Sequence, residues 1–101
     1  MTILEKVRAL LSEPSAWTRG VFARDAADRE IDVTDKKACR FCLSGALRRV
    51  APPYSREWSD AYEQLSPRGV ALCVWNDSPG RTHAEVLALL DEAIDLERQK
   101  A

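Results

Sequence analysis

The side chains with the most evident chemical potential are three cysteines and one histidine. Cys39 and Cys42 form a Cys-x-x-Cys pair, and Cys73 and His83 could complete the Cys3His ligand set of a structural zinc site. Both members of the pair are expected inside a helix, however, whereas zinc-binding pairs usually lie on a tight turn, and the sequence offers no second close pair. We therefore expect free, mostly buried thiols, with neither a metal nor a cofactor.

The same residues suggest a second chemistry, thiol-dependent hydrolysis or group transfer. Cys42 would be the nucleophile, His83 the base, and Asp77 or Asn76 the group that orients the imidazole. Two electrostatic arguments oppose this. Cys42 is expected about two turns into a helix, on its apolar side, where burial raises a thiol pKa. His83 is expected in the first turn of its helix, where the dipole disfavours an imidazolium.

A short polar stretch between two predicted elements is the densest in information. Asn, Asp, Ser, Pro and Gly follow one another in residues 76–80, which predicts a tight turn, and Thr82 caps the helix that follows. The alternative is that Asn76, Asp77, Arg81 and His83 line one polar pocket at a helix N-terminus, which suits an anion or a carboxylate.

Composition narrows the class of protein. The 101 residues predict one domain over positions 1–101, and 46% apolar against 31% charged residues is typical of a globular chain. The net charge of −1 gives no global attraction to nucleic acid. The longest apolar run, Val70–Trp75, is far shorter than the roughly 20 residues of a membrane span. We expect a cytoplasmic protein that binds neither membranes nor nucleic acid.

Helical periodicity is clear at both ends of the chain. Thr2 and Glu5 form a capping box before a helix that should end near Ser12, and Thr82 and Glu85 form another before the last helix. A shorter helix is predicted from Ser55 to about Leu65, with Trp58, Tyr62 and Leu65 on one side. Trp17, Trp58 and Trp75 are interpreted as core anchors.

The middle of the chain is harder to interpret. Val21–Ala23 and Glu30–Val33 flank a turn-prone segment and predict a β-hairpin. A long helix is predicted from Thr34 or Asp35 to Val50, with Cys39 and Cys42 on its apolar side and Gly45 at a close packing contact. Val70–Trp75 could be a strand or a helical turn. The predicted fold is mainly α, a bundle of three or four helices with a short hairpin.

Through several short motifs taken together, the sequence resembles a family of small bacterial and phage proteins of unknown function. They are Ser15-Ala-Trp17-Thr-Arg-Gly20, Phe22-Ala-Arg24-Asp25, Phe41-Cys42-Leu-Ser-Gly45-Ala46-Leu47 and Trp75-Asn76-Asp77 followed by Arg81-Thr82-His83. The resemblance implies a soluble intracellular domain and carries no activity, cofactor or catalytic residue. The residues of these motifs are expected to meet in space, with the hairpin folded over the start of the last helix.

The function expected from the sequence is binding, by a small accessory or regulatory protein whose partner is another protein or a small anionic ligand. The alternative is a cysteine-dependent hydrolase or transferase using Cys42 and His83. The candidate binding residues are Trp17, Arg24, Asp25, Asn76, Asp77, Arg81 and His83.

Overall fold

Five α-helices and a two-stranded antiparallel ribbon form the regular structure of residues 1–100, which the computed structural model describes apart from the side chain of residue 68. In chain order these are α1 Ile3–Leu10, β1 Ala23–Arg24, β2 Arg40–Phe41, α2 Leu43–Val50, α3 Arg56–Leu65, α4 Leu72–Asn76 and α5 His83–Lys100. Single 3-10 turns lie at Pro14–Ala16 and Pro67–Gly69. The mainly helical prediction with a small ribbon is confirmed.

Local signals set the starts of three helices as predicted. In both capping boxes the threonine and the glutamate exchange side-chain to backbone hydrogen bonds, Thr2 with Glu5 and Thr82 with Glu85. Ser55 Oγ accepts the backbone N–H of Trp58 and begins α3. Val70–Trp75 belongs mostly to a helical turn, because α4 begins at Leu72.

The core surrounds α1, which packs against α2, α3 and α5, while α4 packs against α2. Its fully buried large side chains are Leu4, Val7, Leu11, Phe41, Leu43, Leu47, Leu65, Leu72, Val86 and Leu90. Within the described residues, none of the helices is long and apolar enough to cross a bilayer.

The predicted second helix is wrong over its first half. Residues 34–42 are not helical, and α2 begins after Cys42, which is its N-cap. Aspartate side chains take the nearby backbone donors: Asp32 accepts the N–H of Thr34, and Asp35 accepts that of Lys37 at 2.8 Å. Such turns compete with helix formation, so the three-four spacing of Cys39 and Cys42 does not lead to a helix.

The ribbon also pairs differently from the prediction. Ala23 faces Phe41, and Arg24 faces Arg40. Glu30 reaches Arg24 only through an isolated bridge. The carboxylate of Asp25 bends the chain by accepting backbone N–H groups of Ala27 and Arg29, so the predicted partner strand, Glu30–Val33, leaves β1 after one pair.

The contact predicted at Gly45 is present and very close. A Cβ atom at this position would lie 1.8 Å from the carbonyl oxygen of Phe22. The backbone N–H of Cys42 donates to that same oxygen at 3.3 Å. The main chain entering β1 therefore rests directly on the first turn of α2.

Candidate binding site

Asn76 joins three segments of the chain through its buried side chain. Its Oδ1 accepts the indole N–H of Trp17 at 2.7 Å and the backbone N–H of Leu43 at 3.2 Å. Its Nδ2 donates to the carbonyl of Thr18 at 3.2 Å and to the carboxylate of Asp77 at 2.9 Å. Asn76 is fully buried, so this amide spends its whole hydrogen-bonding capacity on internal contacts.

The first turn of α2 is capped from inside the molecule. Leu43 is the first helical residue, and its N–H goes to Asn76, while Cys42 Sγ accepts the N–H of Gly45 at 3.2 Å. Burial raises the pKa of the Cys42 thiol, although backbone hydrogen bonds from Gly45 and Ser44 offset part of this effect. Cys42 thus lies at a helix start, which corrects the predicted position two turns in, and its predicted burial is present.

Arg24 and Asp25 hold the loop that connects α1 to the ribbon and the turn that follows. The Arg24 guanidinium donates to Thr18 Oγ1 at 2.9 Å and to the carbonyl of Arg19 at 3.3 Å. Backbone N–H donation from Arg29 is the main cause that lowers the pKa of Asp25. Both side chains therefore hold their own loop in shape.

Arg81 and His83 each have local partners at the start of α5. The guanidinium carbon of Arg81 lies 3.8 Å from the ring centroid of Trp75, and Arg81 Nη1 lies 3.1 Å from Glu85 Oε2. His83 Nε2–H donates to the carbonyl of Leu11 at 2.7 Å. Its ring lies 6.3 Å from that of Trp17. Trp17, in the loop before β1, thus contacts the start of α5.

The side chains of the predicted thiol dyad have different hydrogen-bond partners in the structure. Among the described residues no hydrogen bond joins Cys42 to His83, because their partners are Gly45 and Leu11. A cavity of about 360 Å³ beside Cys42 is lined by Asp77 but by none of Asn76, Arg81 and His83.

Cys39 and Cys73 are exposed, against the expectation that the thiols are mostly buried, and all three cysteines are free. Nowhere in the described part of the chain do three or more His, Cys, Asp or Glu side chains stand close enough to hold a metal ion.

A different surface collects five residues that the sequence did not single out for binding. It runs from the residue before β1 across α2 to α3. We call it the aromatic stripe, and its members are Phe22, Arg48, Tyr54, Trp58 and Tyr62. The guanidinium carbon of Arg48 lies 4.5 Å from the ring centroid of Phe22 and 5.9 Å from that of Tyr54. The rings of Tyr54 and Trp58 are 5.2 Å apart, and those of Trp58 and Tyr62 are 5.0 Å apart.

Two features set the aromatic stripe apart. In the described part of the chain, two buried side-chain polar atoms lack a hydrogen-bond partner, Arg48 Nε and Trp58 Nε1, and both belong to the stripe. Tyr54 has a φ of 66°, a left-handed conformation that is costly for a bulky residue. Tyr54 nevertheless projects its ring into solvent, 77% exposed.

One sequence signal could have indicated this surface. Tyr54, Trp58 and Tyr62 are four residues apart, and Tyr54 directly follows two prolines, which end α2 and turn the chain outward. Phe22 and Arg48 could not be added from the sequence, because they join the stripe only when the ribbon docks on α2.

The molecule is thus a small helical domain in which the polar motifs join loop to helix, while the separate aromatic stripe exposes Phe22 and Tyr54. The chain belongs to the family of unknown function DUF6197, whose family model matches residues 1–96. Comparison with curated proteins gives no match, and comparison with solved structures gives none either.

Proposed function

We propose that this protein acts by binding another protein, as an accessory or regulatory domain, and that the aromatic stripe is its contact surface. The observation that carries the proposal is the exposure of two of its rings to solvent, Phe22 at 42% and Tyr54 at 77%. Both rings lie against the guanidinium of Arg48 and remain open to water. Large rings placed in this way gain most when a partner covers them. The resemblance to small bacterial and phage proteins leads us to place the partner in the bacterial cytoplasm.

The residue types of the stripe support a protein partner. Tryptophan, tyrosine and arginine are the residues that contribute most to binding energy in protein interfaces. They are also held rigidly here, since each ring contacts a neighbour at 5.0 to 5.2 Å and Arg48 stands over two rings. Side chains that are already ordered lose less conformational entropy when a complex forms.

Charge around the stripe argues against nucleic acid as the ligand. Glu30 and Asp32 line the same cavity as Arg48, and helix α3 carries three exposed acidic side chains, Glu57, Asp60 and Glu63. A polyphosphate backbone would meet several carboxylates for a single arginine.

The geometry gives less support to the alternative hydrolase. A nucleophilic cysteine needs its thiolate, whereas burial raises the pKa of Cys42. Its predicted base, His83, uses Nε2–H on the carbonyl of Leu11. The binding residues predicted from the sequence stay a prediction. Trp17 and Asp77 both hydrogen-bond Asn76 in the free protein, so these groups are already occupied there.

The test uses a photo-crosslinking amino acid in place of Tyr54 in the full chain, expressed in a bacterial host, with Gln99 on the exposed end of α5 as the control position. The proposal expects one defined adduct at position 54 and none at 99. The crosslinked protein is then identified and purified, and its affinity for the chain is measured.

Tyr54→Ala should weaken that affinity at least tenfold, as expected for about 1.4 kcal/mol or more, while Gln99→Ala should leave it unchanged. Equal affinities for both variants would overturn the proposal. An adduct of twice the chain's own mass would mean that a second copy covers the stripe, and would equally overturn it.

A further inference from the structure

The chemistry of the partner can be inferred from a cavity at one end of the aromatic stripe, and this inference rests on the proposed function. The cavity lies between α3 and the chain that leads into α4, and its volume is about 530 Å³. Ligand-binding clefts have volumes of roughly 300–1,000 Å³. The lining residues that matter here are Trp58, Tyr62, Glu63, Ser66, Val70 and Ala71.

The two rings of the stripe that line this cavity differ from the other two in their neighbours. Phe22 and Tyr54 share the guanidinium of Arg48, at 4.5 and 5.9 Å from their ring centroids. Among the side chains that the structure describes, no cation lies over the ring of Trp58 or Tyr62. Aromatic faces attract cations, and tryptophan does so most strongly. These two rings are therefore suited to a cation that a partner supplies.

A carboxylate stands beside these rings. Among the described residues, Glu63 is the one charged side chain that lines the cavity, and it is exposed. None of the ion pairs between described side chains uses it. A carboxylate next to two aromatic rings attracts a cation and repels an anion.

Charge along the rest of this face has the same sign. Helix α3 carries three acidic residues and one arginine, namely Glu57, Asp60, Glu63 and Arg56. At the other end of the stripe, Glu30 and Asp32 line the cavity that Arg48 also lines, so they offset its positive charge. Complementary charge steers a partner toward its site and favours one partner over another, so this face favours a basic partner.

The remaining wall of the cavity suits a long basic side chain. The Ser66 hydroxyl donates to the carbonyl of Tyr62 at 2.8 Å, so what it has left to offer is an acceptor lone pair. Val70, which is 39% exposed, and Ala71 supply apolar surface. Lysine and arginine combine an apolar stem with a charged end that carries only donors, which matches this wall.

We propose that the partner protein places a lysine or arginine side chain in this cavity. The charged end lies against the rings of Trp58 and Tyr62 and pairs with the carboxylate of Glu63. The aliphatic stem packs on Val70 and Ala71.

The test titrates the full-length ¹⁵N-labelled protein with blocked tripeptides while the indole N–H signals are followed by NMR. The probes are N-acetyl-Leu-Lys-Leu-amide and its counterparts with arginine, norleucine or glutamate in the middle. Norleucine keeps the apolar stem of lysine and removes its charge. The indole signals of Trp17 and Trp75 serve as internal references, because neither tryptophan lines the cavity.

We expect the lysine and arginine peptides to shift the Trp58 signal saturably, with affinities about fivefold or more above that of the norleucine peptide. The glutamate peptide should bind most weakly. Glu63→Gln should reduce the preference for lysine over norleucine to less than about twofold. Glu57→Gln is the matched control, since it removes the same charge from an exposed position on α3 outside the cavity and should keep the preference.

Equal affinity for the lysine and norleucine peptides, or no saturable shift of the Trp58 signal with any peptide, would overturn this inference. So would tighter binding of the glutamate peptide. An equal loss of preference in Glu57→Gln and Glu63→Gln would show general attraction to the helix, and would also overturn the cavity as the site. Each of these results leaves the crosslinking test of protein binding at Tyr54 unaffected, so the two proposals fail separately.

Discussion

Trp17 donates its indole N–H to Oδ1 of Asn76 at 2.7 Å, across 59 positions of sequence. The same oxygen accepts the first backbone N–H of α2, from Leu43. One buried amide therefore couples the loop before the ribbon to the start of α2 and the end of α4. Removing this amide tests how much of the fold depends on it.

Asn76→Ala should lower the free energy of unfolding by about 3 kcal/mol, because each buried polar group left without a partner costs about 1–3 kcal/mol. Urea unfolding followed by tryptophan fluorescence gives the value. Asp77→Asn is the control: it keeps an acceptor for the N–H of Gly20 and should cost under about 1 kcal/mol. A loss as small for Asn76→Ala would show that the amide has no special structural role.

Gly45→Ala should be more harmful than any other glycine-to-alanine change in the chain. A Cβ at position 45 would lie 1.8 Å from the carbonyl oxygen of Phe22, so helix and loop must move apart. We expect a loss of about 3 kcal/mol. Gly80→Ala should cost only about 1 kcal/mol, since its added Cβ meets nothing within 4 Å and only its φ of +79° is unfavourable. Thermal unfolding of both variants decides the order.

The three thiols should react with an aromatic disulfide reagent in two distinct phases. Cys39 and Cys73 are exposed, whereas Cys42 is buried and burial raises its pKa, so two thiols per chain react in the native state and the third reacts only in denaturant. Cys42→Ser should leave the fast phase intact, and Cys73→Ser should remove half of it. Rapid modification of Cys42 in the native protein would revive the hydrolase hypothesis.

Stability should fall in acid, in part through Asp25. Hydrogen bonds from the backbone of Arg29 hold the pKa of this carboxyl below its ordinary value. Its contribution to stability is therefore present above the unfolded pKa of about 3.9 and is lost as the pH falls through the lower, folded value. Melting temperatures between neutral pH and pH 2 should drop less for Asp25→Asn than for the natural protein, while Asp95→Asn, an exposed change on α5, should follow the natural curve.

Backbone strain at Tyr54 should reverse the usual order of alanine and glycine. With φ at 66°, Tyr54→Gly should be more stable than Tyr54→Ala by about 1 kcal/mol. At Ser59, inside α3, the opposite order is expected by about the same amount. Equal stabilities of the two variants at position 54 would mean that the strain is relaxed in solution.

Local signals account for what could be predicted of the fold. Helix caps can be recognised from neighbouring residues, because each cap lies within four residues of the group it binds. This holds for the capping boxes at Thr2 and Thr82 and for the serine cap at position 55. The start of α2 could not be predicted in this way, because the apolar spacing of Cys39 and Cys42 fits a helix equally well. The outcome depends on the turns at Asp32 and Asp35 and on the pairing of Arg40 and Phe41 with β1, an earlier strand.

The candidate site shows the same limit. The family motifs predict that eight residues meet, namely Trp17, Arg24, Asp25, Cys42, Asn76, Asp77, Thr82 and His83. Hydrogen bonds join three of them, Trp17, Asn76 and Asp77, whereas Arg24 and Asp25 bond within their own loop and turn. The aromatic stripe was not expected, since Phe22, Arg48 and Tyr54 come from three segments whose docking is a tertiary event. Trp58, interpreted as a core anchor, packs against the core and still contacts Tyr54 and Tyr62 on the surface side.

The missing side chain at Gly45 also affects how the molecule meets a partner. The carbonyl of Phe22 lies directly against Gly45 in the first turn of α2 and accepts the N–H of Cys42 at 3.3 Å. The loop that carries this exposed ring therefore has little conformational freedom left to lose when a partner binds. Ordering a mobile interface side chain costs about 0.5–1.5 kcal/mol. A residue with no side chain, buried beneath the loop, thereby preorganises an aromatic ring on the surface above it.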